Sequence, residues 1–288
     1  MPSPDQSQLS EFILTVSCPD KLGLVHAISR WLFEHQCDIL DSDQFSDPDS
    51  GRFFMRIHFA GEGKLEELER EFDGLAATHQ MQARFQPCSR PPRVLVMVSK
   101  LDHCLVDLIY RMENGELPID IQLIVSNHPD AQPIAQRSGI EFMHRPISAG
   151  NKTEEEQRLL DEIQERNIDF IVLARYMQIL TPQFCRALPD RIINIHHSFL
   201  PSFKGARPYH QAHEHGVKLI GATAHYVTAD LDEGPIIEQG VERVDHRMTP
   251  SELVAVGRDI ERLVLAKAVR YQAEHRVFLN GNKTVVLG

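Results

Sequence analysis

An amide and an imidazole stand two residues apart in Asn194-Ile195-His196, and a carboxylate follows in Asp232-Glu233-Gly234-Pro235. Residues two apart on an extended segment point to the same side, so Asn194 and His196 can act on one reacting atom. Both can donate to the oxygen that gains negative charge when a carbonyl carbon is attacked. A carboxylate can hold the imidazole protonated, orient an attacking water and take its proton. The sequence therefore predicts that Asn194, His196 and Asp232 are catalytic residues that move a carbonyl group onto a nucleophile.

The elements that must position these residues are indicated by alternating apolar strands and amphipathic helices. Strands are predicted at 94–98, 119–125, 141–143, 170–174, 219–227 and 234–244, and helices at 104–114, 130–138, 153–166 and 250–274, before a hairpin-like tail. The run at 170–174 has no polar alternation, which is typical of a strand buried on both faces. This order predicts a doubly wound, mainly parallel α/β sheet of the Rossmann-like kind, with its site at the carboxyl ends of the strands.

A second domain is predicted before this sheet. Strands at 12–16, 37–45, 52–59 and 81–85 and helices at 23–35 and 64–79 give the order βαββαβ, which is the ferredoxin-like arrangement. The stretch Pro87-Cys88-Ser89-Arg90-Pro91-Pro92 cannot continue a helix or a central strand. We therefore predict one domain at 1–87, a linker at 88–92 and a second domain at 93–288.

Composition excludes several classes of function. The 288 residues carry a net charge of −11, which disfavours binding to nucleic acid or to an anionic membrane. No apolar run reaches the roughly 18 residues of a membrane helix, and no signal peptide is recognisable, so we expect a cytoplasmic protein. The five cysteines are scattered without a Cys-x-x-Cys pair, and the histidines at 210–215 lack acidic or cysteine partners. No metal site is expected.

The pattern Asn194-x-His196-x-Ser198, followed by Leu231-Asp232-x-Gly234-Pro235, resembles the active-site signature of the folate-dependent formyltransferases. The resemblance runs from about Val94 to the helix after Pro250 and places Asn194, His196 and Asp232 on that family's catalytic positions. It implies a formyl-folate as substrate and no separate cofactor. The residues that it implies for binding this substrate are Arg175, Tyr176, Met177, Gln178, Leu180, Ser198, Gly205, His225, Val227, Thr228, Ala229, Asp230 and Leu231.

Two of these assignments have alternatives. At Gln178, the purine-pathway members of the family commonly carry an arginine that meets the glutamate tail of the folate. The resemblance leaves that contact to Arg175 or to another basic residue. His225 matches a family histidine that lines the site, but a histidine on an apolar strand can equally serve the core.

The N-terminal βαββαβ pattern, with its strand-to-helix turn Cys18-Pro19-Asp20-Lys21-Leu22-Gly23-Leu24-Val25, resembles an ACT domain. That resemblance implies an amino-acid effector, methionine or glycine, bound near Asp20, Lys21, Leu22, Gly23 and Leu24. It also implies paired domains in a homodimer or homotetramer. Alternatively, Asp20 and Lys21 are ordinary turn residues and the domain serves only to oligomerise.

The acceptor of the formyl group is predicted from the turn after the first strand of the second domain, Ser99-Lys100-Leu101-Asp102-His103-Cys104. Family members that use a phosphorylated acceptor have a glycine-rich turn there, whereas this turn has no glycine and Asp102 would repel a phosphate. Members that act on tRNA need a basic surface. The resemblance therefore implies a hydrolase of the amide-type C–N bond, with water as the nucleophile.

The implied reaction converts 10-formyltetrahydrofolate to formate and tetrahydrofolate, supplying formate for purine synthesis and balancing one-carbon pools. Two alternatives stay open at this point. One is a formyltransferase that acts on an amine acceptor, and the other is a folate-binding regulator without turnover.

Overall fold

A computed structural model describes residues 9–200 and 208–288. The chain divides into two compact units. The first is Met1–Pro91 together with His275–Gly288, and the second is Pro92–Glu274.

The first unit contains a four-stranded antiparallel sheet in the order β2-β3-β1-β4. Its elements are β1 (Ser10–Pro19), α1 (Leu24–Glu34), β2 (Asp38–Asp47), β3 (Arg52–Gly61), α2 (Leu65–His79) and β4 (Gln82–Pro87). One apolar core joins the sheet to both helices, and Trp31, Phe72 and Phe85 pack edge to face or tilted within it. This confirms the βαββαβ arrangement predicted from the sequence.

The C-terminal hairpin belongs to the first unit, which corrects the prediction that the second domain runs to the C terminus. It consists of β12 (Val277–Asn280) and β13 (Lys283–Val286). Phe54, on the side of β3 away from the helices, is fully buried and packs against Phe278 at 5.7 Å between ring centroids. Asn280 donates to Asp47 at 2.6 Å. The apolar face around Phe54 therefore needs the hairpin as its cover, a pairing that local sequence pattern cannot reveal.

The second unit is built on a seven-stranded sheet in the order β11-β10-β9-β8-β5-β6-β7. Its strands are β5 (Arg93–Val98), β6 (Asp120–Ser126), β7 (Glu141–His144), β8 (Phe170–Leu173), β9 (Ile192–His196), β10 (Leu219–Tyr226) and β11 (Ile236–Arg243). The first five of these run parallel, while β10 pairs antiparallel with both β9 and β11. The mainly parallel sheet is confirmed.

The helices of this unit are α3 (His103–Glu113), α4 (Gln132–Arg137), α5 (Lys152–Glu165), α6 (Pro182–Ala187), α7 (Pro208–Glu214) and α8 (Pro250–Ala273). Sequence reasoning did not assign α6, α7 or β9. A capping box between Thr249 and Glu252 begins the 24-residue α8. In the described parts of the chain, no helix combines the length and the apolar character needed to cross a membrane.

Gly234 allows the chain to return to β10 after the loop that carries Asp232. A Cβ atom at Gly234 would lie 1.8 Å from the carbonyl oxygen of Tyr226, which is backbone and cannot move aside. The same segment is held by the hydrogen bond from the Tyr226 N–H to the Pro235 carbonyl, at 2.9 Å.

We therefore expect Gly234→Ala to lower the free energy of unfolding by about 1–3 kcal/mol, the usual effect of forcing an atom into a filled space. Gly150→Ala is the matched control, because a Cβ there would have nothing within 4 Å. Urea titration of both variants and the unchanged protein measures the effect. Equal losses in the two variants would contradict the close contact at Gly234.

Candidate active site

The antiparallel register of β9 and β10 brings the predicted catalytic residues to one place. Asn194 lies opposite His225, and His196 lies opposite Thr223. On the other side of β9, Asn194 lies beside Leu173 at the carboxyl end of β8. The site is therefore at the edge of the sheet where parallel strands end, as the fold class predicts.

A hydrogen-bonded chain orients the Asn194 amide. The Nδ1 atom of His225 is 2.8 Å from the carbonyl oxygen of Tyr226, which can only accept, so Nδ1 carries the proton. In the neutral ring Nε2 is then an acceptor, and the Asn194 Nδ2 group donates to it at 3.3 Å. Because His225 is 2% exposed, this bond is shielded from water. His225 thus lines the site and fixes the orientation of the Asn194 amide. It combines the two roles considered for it, since it lines the site and is also buried in the core.

Asp232 meets His196 from the loop between β10 and β11. Its Oδ1 atom lies 3.3 Å from Nδ1 of His196 and 3.7 Å from Nε2 of His225. Hydrogen bonding with His196 holds the pKa of Asp232 well below its usual range although burial opposes this. Asp232 also has a φ of 56°, a left-handed conformation that non-glycine residues seldom adopt. Such strain is maintained where the surrounding contacts require it.

The other nitrogen of His196 is free to act on a ligand. The ring is 6% exposed, and among the described residues its Nε2 atom has no hydrogen-bond partner. Nδ1 is the nitrogen directed at Asp232, and both residues line the cavity. A buried polar atom without a partner is uncommon, and at a reaction centre it is explained by a group that binds there.

The loop after β8, residues 174–180, is held by hydrogen bonds near both of its ends. Near its start, Ser99 accepts a hydrogen bond from the Met177 N–H at 2.9 Å and donates to Asn127 at 2.6 Å. At its end, the Thr181 N–H donates to the buried carboxylate of Glu156 at 3.1 Å. These contacts hold the backbone of residues 174–180 against the cavity. Sequence reasoning did not identify Ser99 or Glu156 as supports of this loop.

A second support holds the chain that follows His196. The Thr223 hydroxyl donates to the Ser198 carbonyl at 3.0 Å and accepts from the Leu200 N–H at 3.1 Å. The Gln239 amide donates to both Thr223 and the Leu200 carbonyl. The only sequence signal for this support is a polar residue, Thr223, in the apolar strand β10.

One cavity of about 580 Å³ is lined by nearly all the residues predicted to bind substrate. Those that line it are Arg175, Tyr176, Met177, Gln178, Leu180, His225, Val227, Thr228, Ala229, Asp230 and Leu231, together with Asn194, His196 and Asp232. Sequence reasoning missed Leu101, Leu173, Ile179, Ile195, His197, Tyr209, His210, Val254, Arg258 and Glu261, which also line it. Several of these come from α7 and α8, and no short motif marks them.

Two predicted residues, Ser198 and Arg175, have different positions from those expected. Ser198 is 4% exposed and does not line the cavity. Gly205 lies outside the described residues. Arg175 lines the cavity, but its guanidinium is buried beside Glu261, so it is not at the rim where a glutamate tail would extend. The exposed cation on the cavity wall is Arg258 of α8.

A buried polar cluster lies beneath the cavity wall. The Glu261 carboxylate is 1% exposed and accepts from the Tyr209 hydroxyl at 2.7 Å. It also lies 2.8 Å from Nε2 of His103 and 3.4 Å from Nε of Arg175. Burial alone would raise the pKa of Glu261, but His103, Arg175 and Tyr209 together lower it. Glu261 is therefore an ionised centre that accepts hydrogen bonds from His103 and Tyr209 and forms an ion pair with Arg175.

Two groups of described residues have a spacing that a metal ion could use: His103, Cys104 and Glu261, and a more exposed group of Glu11, His58 and Cys88. In the first group the carboxylate is already shared with Tyr209 and Arg175, and burial raises the pKa of the Cys104 thiol. A neutral thiol beside a guanidinium is a poor metal ligand. This arrangement favours an ion pair.

The turn predicted to bind an effector lies in the first unit. Asp20, Lys21, Leu22 and Gly23 are exposed, and Leu22 is completely so. Gly23 precedes α1 with a φ of 91°, a conformation that favours glycine. Leu24 differs from the others because its side chain is 2% exposed within the core. The turn thus presents its first four predicted residues to solvent, and Leu24 anchors it.

Both units have matches among known proteins. The family profile described as formyl transferase matches residues 92–269, and the ACT domain profile matches residues 10–86. A formyltetrahydrofolate deformylase from Corynebacterium sp. (strain P-1) is 48% identical over 284 residues, which cover 98% of this chain and 99% of that protein.

Solved structures give the same picture. The crystal structure of formyltetrahydrofolate deformylase from Burkholderia mallei has a TM-score of 0.93 and 51% identity, and covers 97% of this chain and 100% of its own. Glycinamide ribonucleotide transformylase 1 from Symbiobacterium toebii has a TM-score of 0.65 and 31% identity. That match covers 97% of the transformylase but only 71% of this chain.

The cavity also generates a prediction about pH. Burial, reinforced by the charges of Arg175 and His196, lowers the pKa of His197 from 6.5 to about 4. Between these values the unfolded chain binds a proton at His197 that the folded chain does not, so stability falls as the pH falls through this window. His197→Gln should therefore lose less stability than the unchanged protein between about pH 7 and about pH 4.5.

Urea titration at the two pH values measures this difference. His213→Gln serves as the control, because His213 is exposed on α7. If His197→Gln and the unchanged protein lost the same stability, His197 would not be the buried neutral imidazole that the structure indicates.

Proposed function

Because this chain belongs to the formyltetrahydrofolate deformylases, a family of hydrolases, we propose that Asn194, His196 and Asp232 carry out the hydrolysis of 10-formyltetrahydrofolate to formate. The observation that carries this assignment is the contact of His196 with Asp232 on one ring nitrogen, while the other nitrogen is buried without a described partner in a residue that lines the cavity. Asn194 lies on the same face of β9, two residues away.

The first role is stabilisation of the oxygen of the formyl group. As water attacks the formyl carbon, this oxygen gains negative charge. His196 Nε2–H and an N–H of the Asn194 amide donate to it, and each well-placed donor contributes about 3–4 kcal/mol. The bond from Asn194 to His225 keeps the amide in one orientation, so little reorganisation is needed as the charge develops.

The second role is proton transfer by Asp232. Because its pKa is held low, the carboxylate is ionised before water attacks, and it orients the water and takes one proton. When the C–N bond breaks, that proton passes to N10 of the folate and tetrahydrofolate leaves. The formic acid that remains ionises to formate and a proton, which balances the reaction.

Support for water as the acceptor comes from the turn after β5. Ser99 is engaged with Met177 and Asn127, and His103 is engaged with Glu261. Their polar groups therefore serve the interior of the unit, whereas a phosphorylated acceptor would need free donors at this turn. An amine acceptor remains the second candidate function, and a rate that rises far above that of hydrolysis on addition of an amine would identify it.

We place the pteridine ring between the loop 174–180 and the loop 227–231, which both line the cavity. Backbone groups of the loop 174–180 would form hydrogen bonds with the ring, and Met177, Ile179 and Leu231 supply apolar contact area. Arg258 at the cavity wall is the cation suited to the glutamate tail. The formate released would supply purine synthesis and balance one-carbon pools. The five free cysteines fit a reducing, cytoplasmic location.

Replacement of the catalytic groups should lower turnover by different amounts. Asn194→Ala removes one donor, so we expect a loss of about 10²–10³ in kcat. His196→Ala and Asp232→Asn should each lower kcat by at least that factor, because His196 and Asp232 act as a pair. The measurement is formate release from 10-formyltetrahydrofolate with no acceptor present, alongside folate binding, which should be largely retained.

His213→Ala is the control for histidine removal, since this residue is exposed and does not line the cavity. Full activity in any of the three site variants would remove the corresponding role. Stoichiometric formate and tetrahydrofolate from the unchanged protein support the hydrolase, and folate binding without formate release would oppose it.

The ACT domain suggests regulation by an amino acid, and we propose methionine or glycine as the effector at the exposed turn 20–23. We also propose that ACT domains pair to form a homodimer or homotetramer. Unrestrained hydrolysis would drain the pool of formyl-folate, which gives a physical reason for an effector.

Saturating methionine or glycine should change the rate of formate release by about fivefold or more, within the usual range of allosteric coupling. Asp20→Ala and Lys21→Ala should weaken this response, whereas Glu66→Ala, an exposed change on α2 of the same unit, should leave the response intact. Steady-state rates with and without each amino acid provide the measurement. Unchanged rates at saturation would leave the domain with an oligomerising role only.

A further inference from the structure

Arg175 carries two unfavourable features. Its φ is 64°, in the left-handed region that favours glycine, and its side chain is only 9% exposed although it is permanently charged. Burial of a cation is tolerated when its charge and its N–H groups are matched by partners. A residue that combines backbone strain with a buried charge on a cavity wall is a candidate for function.

The partners of Arg175 match it only in part. Its Nε atom lies 3.4 Å from Oε2 of Glu261, whose charge is also shared with His103 and Tyr209. Among the described residues, neither Nε nor Nη1 of Arg175 has a hydrogen-bond partner, and both atoms are buried. The guanidinium therefore carries a positive charge and two donors that no described residue satisfies, and Arg175 lines the cavity.

The reaction supplies an anion. Transfer of a formyl group to an amine yields a neutral amide, but transfer to water yields formate, a carboxylate. Formate is released beside Asp232, which is itself ionised, so the two negative charges repel each other. A buried cation on the same cavity wall would offset this repulsion and accept the product. Two N–H groups of one guanidinium also match the two oxygens of a carboxylate.

We propose that Arg175 forms a subsite for the product formate, and that Glu261, Tyr209 and His103 hold the guanidinium in place for it. This inference rests on the proposed hydrolysis. In this arrangement Asn194, His196 and Asp232 act on the formyl group until the C–N bond breaks. Arg175 then binds the carboxylate that the reaction has created.

The test measures binding of sodium formate to the full chain through the midpoint temperature of thermal unfolding. Sodium chloride at equal ionic strength is the comparison salt. Formate should raise the midpoint in a saturable manner and chloride should not. Arg175→Lys keeps the charge but loses the fork of donors, so formate binding should weaken about tenfold. Arg262→Gln is the matched control, because it removes an exposed cation of α8 outside the cavity.

Because Arg175→Lys could lose stability, a double variant, Arg175→Gln with Glu261→Gln, provides a second test. It removes both buried charges together, so no unpaired charge is left in the interior. We expect it to lose the saturable response to formate. Product inhibition gives a readout from turnover, and the concentration of formate needed for half inhibition should rise about tenfold in Arg175→Lys.

The outcomes separate this inference from the proposed function. The unchanged protein could release formate while all variants bind formate equally, or while formate and chloride have equal effects. Either result would overturn the subsite alone. Absence of formate release from 10-formyltetrahydrofolate would overturn the hydrolysis and the subsite together. Saturable formate binding that depends on Arg175, in an enzyme that releases formate, would support both.

Discussion

The antiparallel pairing of β9 with β10 is the constraint on which the site depends. The parallel neighbour β8 places only the apolar Leu173 beside Asn194. The reversed direction of β10 instead places His225 opposite Asn194 and Thr223 opposite His196. The chain then turns back through the loop that carries Asp232. One backbone register therefore fixes a donor, its orienting histidine and the partner of the catalytic imidazole.

Burial gives these contacts their strength. In a site shielded from water, a charge without a partner is costly, so each buried ionisable group is matched by others. Asp232 is matched by His196, and Glu261 by His103, Tyr209 and Arg175. Among the described residues that line the cavity, the exceptions are the buried nitrogens of His196 and Arg175 that have no described partner. Both residues line the cavity, where a substrate or product can supply the hydrogen-bond acceptor that the described residues do not.

This chain resembles a transformylase as well as the deformylases. The match to the transformylase from Symbiobacterium toebii covers only 71% of this chain, whereas the match to the deformylase from Burkholderia mallei covers 97% of this chain. A shared sheet can support either reaction, because the attack on a formyl carbon needs the same donors. Under the proposed hydrolysis, we attribute the choice of acceptor to the turn after β5 and to the buried side chains of the cavity wall.

The sequence by itself determined the order of elements, the two fold classes and the three residues proposed as catalytic, because hydrophobic periodicity and short motifs are local properties. It also identified both loops that line the cavity. Only the tertiary structure decided that Phe278 covers Phe54, that Arg175 is buried, and that Glu261 lies beneath the site. These contacts join residues from 86 to 224 positions apart along the chain. No local pattern encodes such pairs, since they arise only when packing brings distant side chains together.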